Sequence, residues 1–178
     1  MAKPVPVLCL TLWVLGTPKS TYRNRLAAGL ALSVAGDVLI EWSFIAGLVA
    51  FLLAHVAYTA AFVSDATRPC LIRAVPVTLY AAGLTTFLWP GLGNLRPAFL
   101  AYALAIGTML WRAAARVGSR GAPTFGEWAA LAGAILFALS DSLIALHRFH
   151  APFPAANVPV MLLYWAGQLG IALSATIR

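Results

Sequence analysis

Charge is what this 178-residue sequence most lacks: only 10% of its residues are Asp, Glu, Lys or Arg, and only five of those are acidic. A soluble domain carries about 25% charged residues to wet its surface, so a free-standing soluble domain is excluded. Cysteine is scarce as well. Cys9 and Cys70 are the only two, which rules out a disulfide framework. Long soluble connections, internal repeats and low-complexity runs are also missing. What is present is apolar: 62% of residues are hydrophobic and the mean hydropathy is +0.88, which excludes intrinsic disorder. These absences leave a polytopic membrane protein, read as one transmembrane helical domain over residues 1–178.

A helix needs about 20 apolar residues to cross the hydrocarbon core. Seven segments are read as spans: Pro4–Gly16, Asn24–Ile40, Phe44–Val63, Leu71–Trp89, Pro97–Arg112, Gly126–His147 and Val158–Ile177. The fold class is therefore all-α, a bundle of about seven spans. The first segment is short, but it lacks an A-x-A-like cleavage site and reads as a span rather than a signal-peptide core. Pro76, inside the fourth, predicts a kink there. Gly118–Pro123 and Trp89–Pro97 are turn-rich loops. The net charge of +7 does not point to nucleic acid, because the basic residues stand singly or in threes between apolar runs rather than on one soluble face. With seven spans, Lys3, Arg96 and Arg148 fall on one side, and Lys19, Arg23, Arg25, Arg68, Arg73, Arg112, Arg116, Arg120 and Arg178 on the other. Nine against three places the N-terminus outside and the C-terminus in the cytoplasm of a multi-pass protein, expected in the cell membrane.

The five acids are the most informative residues. Glu41, Asp65 and Glu127 lie at span ends and read as solvated termini. Asp37 and Asp141 lie inside apolar helices, where a charge costs about 2.5–3.5 kcal/mol on insertion scales and such residues are usually functional. At about 1.5 Å per residue, Asp37 is roughly 6 Å and Asp141 roughly 9 Å from the outer span ends. His55 on the third span, and Tyr164 and Gln168 on the seventh, enter the same outer half. Helices running in opposite directions thus bring polar side chains to one level, which points to a single site.

The helical faces agree. Gly29, Ser33 and Asp37 form an i, i+4, i+8 stripe suited to close packing. Gly133, Phe137 and Asp141 repeat it, and Phe51, His55 and Tyr58 share a face, as do Tyr164 and Gln168. No metal is expected, since His147 and His150 lack a third ligand at sensible spacing. No cofactor is expected either, because no phosphate-binding loop, G-x-G-x-x-G or G-x-S-x-G turn is present.

Four ordered motifs carry a resemblance. They are GDVLIEW (Gly36–Trp42), FIAGLVAFLLAHVAY (Phe44–Tyr58), GAILFALSDSLIAL (Gly133–Leu146) and YWAGQL (Tyr164–Leu169), with Lys3-Pro4 ahead of the first span. Together they make the chain similar to the YhhN-like lysoplasmalogenase family over nearly its whole length. The resemblance implies an integral-membrane enzyme that hydrolyses the vinyl-ether bond of lysoplasmalogens to a fatty aldehyde and a glycerophospho-alcohol. It makes Asp37 the Asp of the GD motif and Asp141 the Asp of the SD motif. Family members commonly have eight helices, so this chain is expected to start at the family's second helix, and its 2–3 loop is very short.

That chemistry suits the residues. Protonating the β-carbon of a vinyl ether gives an oxocarbenium ion that water captures. The hard step needs a carboxylic acid held away from water, which disfavours its charged form, and a second carboxylate to stabilise the cation and activate water. The expectation is catalysis by Asp37 and Asp141, with His55, Tyr58, Tyr164, Gln168 and Lys3 orienting the pair or binding a lysophospholipid in the bilayer. Two other readings are a small proton-coupled transporter using the same carboxyls and a scaffold using them as packing contacts. The oligomeric state is not encoded in any motif.

Overall fold

The computed structural model describes residues 3–66 and 68–176. Among them are seven α-helices and no strand: α1 (Pro4–Leu15), α2 (Thr21–Trp42), α3 (Phe44–Asp65), α4 (Ala74–Leu88), α5 (Arg96–Arg116), α6 (Phe125–Phe149) and α7 (Asn157–Thr176). Each coincides with one predicted span. The predicted end of the last span, Ile177, lies outside the described residues, as do the terminal residues Met1, Ala2 and Arg178.

Five helical segments are long and apolar enough to cross a membrane: Phe44–Asp65, Leu71–Gly91, Gly93–Arg116, Phe125–Phe149 and Asn157–Thr176. With only 12 residues, α1 spans about 18 Å at 1.5 Å per residue. α2 has the length, at 22 residues, but carries Arg23, Arg25, Asp37 and Glu41.

Local chemistry sets the helix ends. The connection between α2 and α3 is one residue, Ser43. It ends one helix with its N–H on the Leu39 carbonyl and starts the next by accepting the Ala46 N–H on Oγ. The cap holds the two helices as a tight hairpin. Pro76 stands in the first turn of α4, after a 3-10 turn at Leu71–Arg73. It is not the expected mid-span kink, because in a first turn the missing N–H has no intrahelical partner to lose.

Two acids expected to be solvated are not. Glu127 is 5% exposed. It closes a capping box with Thr124 and accepts the Gly118 N–H at 3.0 Å, so it satisfies backbone donors at the start of α6. Asp65, at the end of α3, takes both Nε (2.9 Å) and Nη2 (2.6 Å) of Arg116 on Oδ2 and pairs with Arg120 through Oδ1. Arg116 is itself buried and donates to Tyr22 Oη at 2.9 Å, and Tyr22 stands 2.5 Å from Ser174 Oγ. The network ties α2, α3, α5 and α7 at one end of the bundle. Glu41 is exposed as expected, 3.8 Å from Lys3.

Helices α2, α3, α5, α6 and α7 contact in sequence around a ring that closes from α7 back to α2. α1 packs outside on α2 and α7, and α4 outside on α5 and α6. Small residues permit the closest approaches. A Cβ at Gly133 would stand 2.6 Å from the Gly167 carbonyl oxygen and from the Ile171 nitrogen, so α6 and α7 meet backbone to backbone. At Gly29 it would meet the Tyr58 ring at 2.4 Å.

Candidate active site

A cavity of about 440 Å³ lies among α2, α3, α5, α6 and α7 with α4 as a further wall, and it reaches the end where α2 and α6 finish and α3, α5 and α7 begin. Its wall is apolar for most of its area, with Phe51, Leu84, Ile106 and Met161 contributing, and the carboxyls of Asp37 and Asp141 both reach it. Such a pocket, greasy with a few convergent polar groups, is the usual form of a small-molecule site.

Each carboxyl has a tyrosine. Tyr164 donates to Asp37 Oδ2 at 2.9 Å, joining α7 to α2. Tyr102 donates to Asp141 Oδ2 at 2.6 Å, joining α5 to α6. A hydrogen bond from a phenol fixes a carboxyl's rotamer and leaves its other oxygen for a ligand. Aromatic rings connect the two pairs. Tyr164 meets Phe137 with centroids 5.3 Å apart, Phe137 meets His55 at 4.8 Å, and His55 Nε2 stands 3.7 Å from Asp141 Oδ2. That last separation is too long for a hydrogen bond.

The predicted site residues divide into two groups. Asp37, Asp141, Tyr164 and Lys3 line the cavity. His55, Tyr58 and Gln168 are fully buried and stand behind its wall. Tyr58 donates to Gln168 Oε1 at 2.8 Å and lies 3.2 Å from Ser33 Oγ, a polar seam one turn below the Asp37–Tyr164 pair. His55 is packed edge-on against Tyr102 at 5.2 Å. Neither of its ring nitrogens has a hydrogen bond of good geometry; besides Asp141, the Phe51 carbonyl one turn back approaches the ring.

Tyr102 is the site residue that reasoning from sequence missed. It sits on α5 at cavity depth and holds Asp141. Tyrosine fits an apolar run without disturbing its hydropathy, so the only available signal was its place four residues before Ile106 on the face that also carries Leu110. Tyr80 on α4 was missed for the same reason. It bonds Ser142 of α6 at 2.7 Å.

An all-helical membrane bundle with two tyrosine-bonded carboxyls on one apolar cavity defines the class. Comparison with known sequences then gives the family: the YhhN family model matches residues 1–175, and the chain belongs to that family. A human protein named lysoplasmalogenase TMEM86B is 37% identical over 98% of this chain and 74% of its own length. A bovine protein named lysoplasmalogenase TMEM86A is 35% identical over 98% of the chain and 77% of its own. A Mycobacterium tuberculosis protein named lysoplasmalogenase is 34% identical over 85% of the chain and 60% of its own. The chain is thus a membrane protein of a family whose curated relatives are named as enzymes. No solved structure matches it.

Proposed function

We propose that this chain hydrolyses the vinyl-ether bond of lysoplasmalogen-type lysolipids, releasing a fatty aldehyde and a glycerophospho-alcohol. The observation that carries the reading is the pair of tyrosine-held carboxyls, Asp37 and Asp141, on one apolar cavity in a chain similar to proteins named lysoplasmalogenase. The apolar wall suits an alkenyl chain, and the polar groups near the mouth suit a headgroup.

The chemistry assigned to these groups is acid catalysis. One carboxylic acid gives its proton to the β-carbon of the alkene, leaving an oxocarbenium ion and a carboxylate. Water adds to the cationic carbon, and its surplus proton passes to the other carboxylate. The hemiacetal then breaks its C–O bond to give aldehyde and alcohol, with one water consumed overall. General acid–base catalysis of this kind supplies about 10²–10⁴-fold in rate. Tyr164 and Tyr102 orient the carboxyls directly. Tyr58, Gln168 and His55 hold the helices that carry them, and Lys3 stands at the rim.

We further read all seven helices as crossing a cell membrane, with the cavity mouth on the non-cytoplasmic side. The nine-to-three distribution of Lys and Arg supports that orientation. The test of function is to offer the purified protein alkenyl and acyl lysolipids and to measure aldehyde and fatty acid separately. Aldehyde from the alkenyl lipid alone is expected. Fatty acid release, or turnover of neither lipid, would overturn the reading.

A further inference from the structure

The cavity mouth carries donor side chains that vinyl-ether chemistry leaves unused. Arg148, one residue from the end of α6, lines the mouth and is exposed. Its guanidinium carbon lies 3.7 Å from the centroid of the Phe44 ring at the start of α3. Stacking of this kind fixes the plane of the guanidinium and leaves its edge N–H groups free to donate. Among the described residues no acidic side chain forms an ion pair with it.

His147 lines the mouth beside it. Its Nδ1 accepts the Phe153 backbone N–H at 3.1 Å, and its ring packs edge-on against the Phe153 ring at 5.2 Å. With Nδ1 accepting, the neutral ring carries its proton on Nε2, so His147 is a second oriented donor. Lys3 shares the rim but is engaged with Glu41.

We propose that Arg148 and His147 hold the phosphodiester of a lysolipid at the cavity mouth and thereby set the depth of its alkenyl bond. The inference rests on the lysolipid reading above and names the residues that recognise the headgroup. Guanidinium groups match phosphate oxygens with paired, charge-assisted hydrogen bonds. The spacing also fits. Asp141 lies six and seven residues before His147 and Arg148 on the same helix, about 9–10 Å along its axis. In a lysoplasmalogen seven bonds separate phosphorus from the β-carbon, roughly 9 Å when extended, because bonds of about 1.5 Å at angles of about 111° advance about 1.25 Å each. A phosphate seated at the mouth therefore brings the carbon to be protonated to the level of Asp141.

The experiment measures binding of a ligand that cannot be cleaved. Detergent-solubilised protein is titrated with 1-alkyl-lysophosphatidylethanolamine and, separately, with 1-alkylglycerol of the same chain length, which lacks phosphate. Tryptophan fluorescence follows occupancy. The expected result is a preference of the wild-type protein for the phospholipid, narrowed about tenfold in Arg148→Gln and in His147→Gln and partly recovered in Arg148→Lys. Equal affinity of the wild-type protein for both ligands would overturn the proposal. So would an unchanged preference in Arg148→Gln, or inorganic phosphate binding as tightly as the lysolipid. The hydrolase reading fails separately, through absence of aldehyde from an alkenyl substrate, so the two failures are distinguishable.

Discussion

At the scale of the residue, the proposed chemistry rests on the two carboxyls that line the cavity and the tyrosines bonded to them. If Asp37 and Asp141 act as an acid–base pair, Asp37→Asn and Asp141→Asn each lower aldehyde release by at least about 100-fold, since neither amide can give or take the proton. Folding is checked alongside by elution as a monodisperse species and by thermal unfolding. Loss of unfolding temperature without loss of turnover per folded molecule would favour the packing role instead. Tyr102→Phe keeps the ring and removes the hydrogen bond to Asp141. It is expected to lower kcat roughly tenfold, the worth of one hydrogen bond to a carboxyl, with a smaller change in KM. Asp37 and Asp141 were legible in the sequence because a carboxyl in an apolar run stands out, and Tyr164 because it precedes Gln168 by four residues in YWAGQL. Tyr102 was not, because its partner is 39 residues away and its own side chain is mostly apolar.

At the scale of the element, helix ends and small-residue stripes explain the agreement between prediction and structure. Hydropathy marks where each helix runs, and the cap at Ser43 sets the tight turn between α2 and α3. The stripes packed as their spacing implied: Gly29 and Ser33 against Tyr58, and Gly133 against the backbone of α7. Gly133→Val is therefore expected to force α6 and α7 apart and to lower the unfolding temperature, a thermal shift that also moves Asp141 relative to Asp37 and reduces activity. The same substitution at Gly83, where an added Cβ meets nothing within 4 Å, serves as the control. The capping box at Thr124 and Glu127 could have been found from its S/T-x-x-E spacing. Read only as a charge at a span end, Glu127 looked solvated.

At the scale of the whole molecule, one end of the bundle is tied by ions and the other is open around the cavity. Asp65, Arg116, Arg120, Tyr22 and Ser174 lock the closed end. Removing one partner of a buried ion pair typically costs about 3–5 kcal/mol. Arg116→Ala is expected to approach the lower figure, because Arg120 still faces Asp65, and a thermal unfolding series checks it. The orientation proposed for the membrane gives a further expectation. In a Cys9→Ser, Cys70→Ser background, Asn157→Cys reacts with a membrane-impermeant thiol reagent from outside intact cells, and Arg120→Cys reacts only after the cells are opened. The reverse pattern would invert the topology.

The sequence by itself determined that the chain is helical and built for a membrane, where each helix runs, and which two carboxyls lie within helices rather than at their ends. Those properties depend on neighbours along the chain, through hydropathy, spacing and caps. Only the tertiary structure decided that Asp37 and Asp141 share one cavity, that Tyr164 and Tyr102 hold them, and that Asp65 meets Arg116 rather than water. Each of those facts depends on which helix faces which, and a helix's sequence specifies its apolar faces without naming the partner that covers them.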